Sequence, residues 1–140
     1  MMFETTEQIA NRDPDLAGRT AVDLWGPAAE FGFQIVPDIL LLEQRQLGIS
    51  SEELNALLNL NAHRWRRKDP VFPGTSTIAE RMGVSVRTVQ RLIRSLEKKS
   101  LVVRKKTADG HMYFELDLLN QKLEPFVSDR IKKGKKRMEK

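Results

Sequence analysis

Apolar residues change rhythm along this chain, and the change predicts where helices give way to a hairpin. Ile39, Leu40, Leu41 and Leu42 form a run too dense for a surface strand, so a helix is predicted from Asp38, as N-cap, through Gln46, with Gly48 ending it. A second helix starts at once. Ser50 or Ser51 can cap it, Glu52 and Glu53 suit the positive end of its dipole, and Leu54, Leu57, Leu58 and Trp65 fall on one face of a core helix reaching about Arg66. Further on, Val89, Leu92, Ile93 and Leu96 stand at i, i+3, i+4 and i+7, the stripe of a helix that buries one side. Helical spacing ends after Lys98-Lys99-Ser100. Leu101 to Arg104 and Met112 to Leu116 read as two strands joined at Asp109-Gly110, a strong hairpin-turn pair. A last helix is predicted with Asp117 as its cap, burying Leu118, Leu119, Leu123 and Phe126.

Between the predicted core helix and the hairpin lies the most informative stretch, Ser76 to Ile93. A short helix around Ile78, Ala79 and Met82 is stopped by Gly83, which can take the positive φ needed in a tight turn between crossing helices. Ser85 caps the next helix. Ala79 is small where the two helices would approach, and Val84 is apolar where the turn would fold onto the core. Helix, helix, hairpin is the order of a winged helix-turn-helix, so the predicted fold class is mainly α with a small β-hairpin wing.

The remaining segments are peripheral. Met1 to Arg19, polar and broken by Asp13-Pro14, is expected to be flexible. Thr20 to Phe33 holds Val22, Leu24, Trp25, Phe31 and Phe33, enough apolar surface for a short helix packed on the core, although Gly26-Pro27 and Gly32 interrupt it. Gln34 to Pro37 is expected to be extended, because the residue before a proline is pushed out of the α region. Asp69-Pro70 and Pro73-Gly74 bracket a loop with Val71 and Phe72 turned inward. The expected organisation is therefore a flexible segment 1–19, a winged helix-turn-helix domain 20–127 and a basic tail 128–140, disordered from Ile131.

Charge sharpens this picture more than composition does. The formal net charge of +5 conceals a split: Met1 to Ala62 carries 3 basic against 10 acidic residues, and His63 to Lys140 carries 21 against 9. The second part is a polyanion binder in the making. At about 100° per residue from Val89, Arg87 lies near 160°, Arg91 near 200°, Arg94 near 140° and Lys98 near 180°. Four cations thus share the face opposite the core stripe, while Glu97 sits only about 80° from its centre. The hairpin adds Arg104, Lys105, Lys106 and His111, a cationic wing suited to a phosphate backbone or the minor groove.

Other chemistries are poorly provided for. The chain has no Cys, 2 His and 1 Tyr; His63 and His111 fall in different elements without metal-ligand spacing, and the glycines are scattered singly, so no catalytic site, metal or cofactor is expected. RNA is disfavoured because no exposed aromatic pair for stacking unpaired bases is evident. With no apolar run near ~18 residues and no basic-then-apolar start, the chain is expected in the cytoplasm and away from membranes.

From Trp25-Gly26 to Glu124-Pro125 the sequence resembles small bacterial winged helix-turn-helix proteins related to replication-initiator N-terminal domains and single-domain transcriptional regulators. The resemblance rests on Pro37-Asp38-Ile39-Leu40-Leu41, Phe72-Pro73, Ile78-Ala79-Glu80-Arg81-Met82-Gly83-Val84-Ser85, and Arg87-Thr88-Val89-Gln90-Arg91 leading to Leu96-Glu97. It implies that Arg87, Thr88, Gln90 and Arg91 face DNA base edges. The expected phosphate contacts are Ser85, Arg94, Lys98, Arg104, Lys105, Lys106 and His111. The expected function is sequence-specific binding of double-stranded DNA as a transcriptional regulator, with helix 86–98 in the major groove and the wing 101–116 on phosphates. Alternatives are a plasmid or phage replication-initiation module and a winged-helix protein-protein assembly module. A homodimer is left open, since only a palindromic site would require one.

Overall fold

A computed structural model describes Leu16 to Arg64, Arg67, Pro70 to Phe72 and Gly74 to Met138. The expectations for residues 1–15, Trp65, Arg66, Asp69 and Pro73 lie outside these residues. The chain divides into a unit ending at Ile35 and a second unit, Val36–Lys140. In the first, helix α1 (Leu16–Trp25) is followed by a 3-10 helix (Gly26–Phe31) with Pro27 in its first turn. Val22, Leu24, Trp25 and Phe31 are exposed, so the apolar side chains expected to be buried in a core are instead at the surface.

The second unit is built from α2 (Asp38–Leu42), α3 (Gln44–Leu47), α4 (Ser51–Asn61), α5 (Thr75–Met82), α6 (Val86–Lys98), strands β1 (Val103–Lys106) and β2 (Met112–Glu115), and α7 (Asp117–Met138). The predicted helix from Asp38 is split at Glu43, and Pro37 rather than Asp38 occupies the cap position. Only Leu40 of the Ile39–Leu42 run is buried, with Ile39 partly so. Gly48 ends α3 at φ 72°. Of the two candidate caps for α4, Ser50 is used: its hydroxyl accepts from the Glu53 amide at 3.1 Å, and the Glu53 carboxylate accepts from the Ser50 amide at 3.2 Å. α4 ends at Asn61, short of the predicted Arg66, where the Asn61 side chain accepts from Arg64 and the backbone tightens into a turn.

The helix-turn-helix forms as read. Gly83 takes φ 68°, Ser85 accepts from the Thr88 amide at 3.1 Å, and Val89, Leu92, Ile93 and Leu96 are all buried. α6 ends with Ser100 at φ 57°, a left-handed position usually given to glycine, which lets Leu101 donate back to the Leu96 carbonyl at 3.0 Å. Leu101 and Val102 are therefore buried core residues ahead of the strand, which begins two residues later than predicted.

The two strands are antiparallel, with Val103 opposite Glu115, Arg104 opposite Phe114, Lys105 opposite Tyr113 and Lys106 opposite Met112. The turn is a three-residue loop, Thr107 pairing with His111 and Gly110 at φ 88°. A further bridge joins Val71 to Phe114, so the loop after α4 lends the wing a third edge. Val71 is buried as expected, but Phe72 is 53% exposed. The core gathers Leu57 and Leu60 of α4, Ile78 of α5, Val89, Ile93 and Leu96 of α6, and Phe114 and Leu116. Leu119 and Leu123 of α7 close it, and α7 continues through Pro125 to Met138 where a disordered tail was expected.

Candidate nucleic-acid interface

The N-terminal part of α6 lines an open surface groove with Ser85, Arg87, Thr88, Gln90, Arg91 and Arg94. Capping explains its first turn: the hydroxyls of Ser85 and Thr88 lie 2.9 Å apart while Ser85 holds the Thr88 amide. Arg87, Gln90, Arg91, Arg94 and Lys98 are exposed and form no hydrogen bond or ion pair among the described residues. The four residues expected at base edges are thus brought together on one groove. Ser85 and Arg94, expected at phosphates, border the same groove, and Lys98 follows one turn after Arg94.

Both flanks of α6 are gripped. On one, Lys99 Nζ lies 2.6 Å from Glu53 Oε2 and donates to the Gly48 carbonyl at 2.7 Å, and Ser95 donates to Glu53 Oε2 at 3.0 Å. Glu53 is 7% exposed. Burial raises its pKa, but Lys99, Ser50 and Ser95 together outweigh that and hold it below the ordinary carboxylate value. On the other flank, Arg104 of β1 donates to Glu97 Oε1 through Nη2 at 2.7 Å and Nε at 3.1 Å. Its guanidinium carbon sits 5.2 Å from the centre of the Phe114 ring, and Nη1 reaches the Met112 sulfur. Neither pairing was legible in the sequence, because Ser95 and Lys99 lie more than forty residues from Glu53 and a strand arginine does not announce whether it faces solvent.

The wing cations are not equivalent. Cross-strand partners share a face, so Arg104 and Lys106 lie on the side of buried Phe114, and Lys105 lies on the opposite side with Tyr113 and Glu115. Lys105 Nζ is 3.0 Å from Glu115, whose carboxylate raises the lysine pKa. Lys106 is exposed with no ion pair among the described residues. His111, at the tip, stands 3.5 Å from Asp109. Of the expected phosphate contacts, then, Lys106, Arg94 and Lys98 present unpaired charge, whereas Arg104 and Lys105 are already engaged.

On the outer face, exposed Phe72 and half-buried Tyr113 form an aromatic pair with ring centres 5.8 Å apart. It was not visible in the sequence because Val71 and Phe114, which align the two residues, meet only in the fold. No group of three or more metal-ligating side chains occurs among the described residues, and none of their helices is long and apolar enough to cross a membrane.

Helices α5 and α6 with the β1–β2 hairpin constitute a winged helix-turn-helix. The chain is similar to the N-terminal domain of the DnaD protein from Geobacillus kaustophilus HTA426, with a TM-score of 0.55 at 22% identity over 89% of this chain and 98% of that one. It is more distantly similar to S. aureus MepR in a complex with DNA (TM-score 0.44, 24% identity, 72% of this chain and 82% of that one). A likeness of similar extent relates it to the YusO protein of Bacillus subtilis (TM-score 0.42, 19% identity, 96% and 84%). No curated protein matches the chain. The DnaD N-terminal domain family matches residues 36–134, which takes in α2 to α6, the wing and nearly all of α7, as the resemblance to replication-initiator N-terminal domains implied. The chain belongs to the DnaD N-terminal domain family.

Proposed function

We propose that this chain is a double-stranded DNA-binding module in which α6 enters the major groove and the wing rests on phosphates, with no catalytic role. One observation carries the reading: the outward face of α6 holds Arg87, Arg91, Arg94 and Lys98 without an acidic partner among the described residues, while the single acid of that helix, Glu97, is turned to Arg104. Phosphates reward each of these four like charges through counterion release. Arg87, Thr88, Gln90 and Arg91 read bases, since arginine suits guanine and glutamine suits adenine. Arg94, Lys98 and Lys106 take phosphates, Ser85 and His111 lie at the margins of that contact, and Lys105 contributes least because Glu115 shares its charge.

Fluorescence anisotropy with random duplexes, followed by selection from a randomised duplex pool, tests this. Binding is expected, and Arg87→Ala or Arg91→Ala should cost about 1–3 kcal/mol on selected sites and flatten preference at one or two positions. Unchanged affinity and preference in both variants would sink the assignment. A palindromic selected site would indicate a two-fold dimer, and direct repeats an origin-type array. The pairing of exposed Phe72 with half-buried Tyr113 favours a second reading, unpaired bases stacked on the wing's outer face. Tighter binding to a single-stranded oligonucleotide than to the duplex, lost in Phe72→Ala, would select it.

A further inference from the structure

We propose that Arg104 is a positioning residue that locks the wing to the recognition helix, and that it is not one of the phosphate contacts. The inference rests on the duplex-binding reading above for its functional consequence, but on the free protein for its geometry. Three different groups occupy the guanidinium at once: Nε and Nη2 bind Glu97 Oε1, Nη1 contacts the Met112 sulfur, and the plane lies against Phe114. Three of its five N–H donors are thereby engaged within the protein. Phe114 is itself 1% exposed and hydrogen-bonded to Val71 through both its amide and its carbonyl, so the surface under Arg104 is rigid. Glu97 is the penultimate residue of α6, just ahead of Lys99-Ser100 where the chain leaves the helix, so its contact with Arg104 closes the corner between helix and hairpin.

The consequence is geometric and electrostatic together. A two-stranded hairpin on its own is marginal, and its angle to α6 must be set by something outside the ladder. Arg104 sets it from one side, Lys106 shares its face of the sheet, and the clamp thereby holds the unpaired Lys106 in a fixed relation to Arg87, Arg91, Arg94 and Lys98. At the same time Arg104 covers the one carboxylate of α6 that would otherwise repel a phosphate backbone.

Glu97→Gln separates this role from phosphate contact because the two predict opposite signs. If Arg104 is held in reserve for a phosphate, the substitution frees a cation and deletes a repulsive charge, and duplex affinity rises. If Arg104 is a clamp, the wing loosens and affinity for a duplex falls by about two- to fivefold, the scale of one partly exposed ion pair. Backbone amide exchange in Val103–Lys106 and Met112–Glu115, measured by NMR without DNA, supplies the independent arm. Glu97→Gln and Arg104→Lys should each raise wing exchange by a similar factor while leaving exchange in α4 unchanged, and the double variant should be no worse than either single one. Unchanged wing protection, or tighter duplex binding by Glu97→Gln, overturns the proposal. A wild-type protein that binds no duplex would instead overturn the duplex reading, and with it the functional half of this one, leaving the clamp itself decided by the exchange data.

Discussion

Glu53 is satisfied twice over, by the Ser50 amide at the start of its own helix and by Ser95 and Lys99 reaching it from α6. Its place in the first turn of α4, beside a capping serine, was legible because a capping box is a local pattern. Its burial was not, since nothing local reveals that Ser95 and Lys99 arrive on the neighbouring helix to satisfy the carboxylate. The pairing of Arg104 with Glu97 was hidden for the same reason: charge is written in the sequence, but pairing belongs to the fold. The Glu53 network also makes stability depend on acid. Its folded pKa is lowered, so its contribution is fully present above the usual unfolded value of about 4.3 and is lost as pH falls through the lower folded value. Glu53→Gln should therefore lower stability at neutral pH by about 1–3 kcal/mol, because Lys99 loses its charged partner. Thermal melts of the variant should also change less than wild type between neutral pH and acid. A variant as stable as wild type at neutral pH, with the same acid profile, would remove Glu53 from the account of how α6 is held.

Among the elements, α5, α6 and the hairpin were the most legible, because a glycine turn, a serine cap, a 3.6-residue stripe and an Asp-Gly turn are all local signals. α7 was read only as far as its buried part. Leu119 and Leu123 pack on the core as expected, but the helix runs on past Pro125, whose missing amide ought to favour a stop. A tertiary contact supports the continuation: Arg130 lies 2.6 Å from Glu43, at the break between α2 and α3. Beyond it Ile131 to Gly134 are exposed. Deleting Ile131 to Lys140 should thus remove about two turns of helix from the circular dichroism signal while leaving the melting temperature nearly unchanged. Affinity for random and selected duplexes should fall by similar factors, since lysines beyond the folded unit contact any polyanion. A marked fall in melting temperature would show that these turns are part of the folded unit.

At the scale of the whole chain, charge is segregated by sequence and then sorted again by folding. The acidic part up to Ala62 supplies Glu53 and Glu43 to Lys99 and Arg130, and within the basic part Glu97 and Glu115 engage Arg104 and Lys105. Among the cations that these pairings leave unmatched in the described residues are Arg87, Arg91, Arg94 and Lys98 of α6 and Lys106, on the wing face it shares with Arg104. The split between basic and acidic parts could be counted from the sequence, but this second sorting needed the fold, since it depends on contacts up to 87 residues apart. The claim that the outward face of α6 binds duplex DNA is tested most directly by the salt dependence of that binding. Anisotropy titrations across a range of salt should compare the wild type with a variant carrying Arg87→Gln, Arg91→Gln, Arg94→Gln and Lys98→Gln. With Arg94 and Lys98 on phosphates and Arg87 and Arg91 at base edges, affinity should fall and the slope of log affinity against log salt should become shallower by about 1.8. A slope and affinity unchanged in that variant would contradict the account.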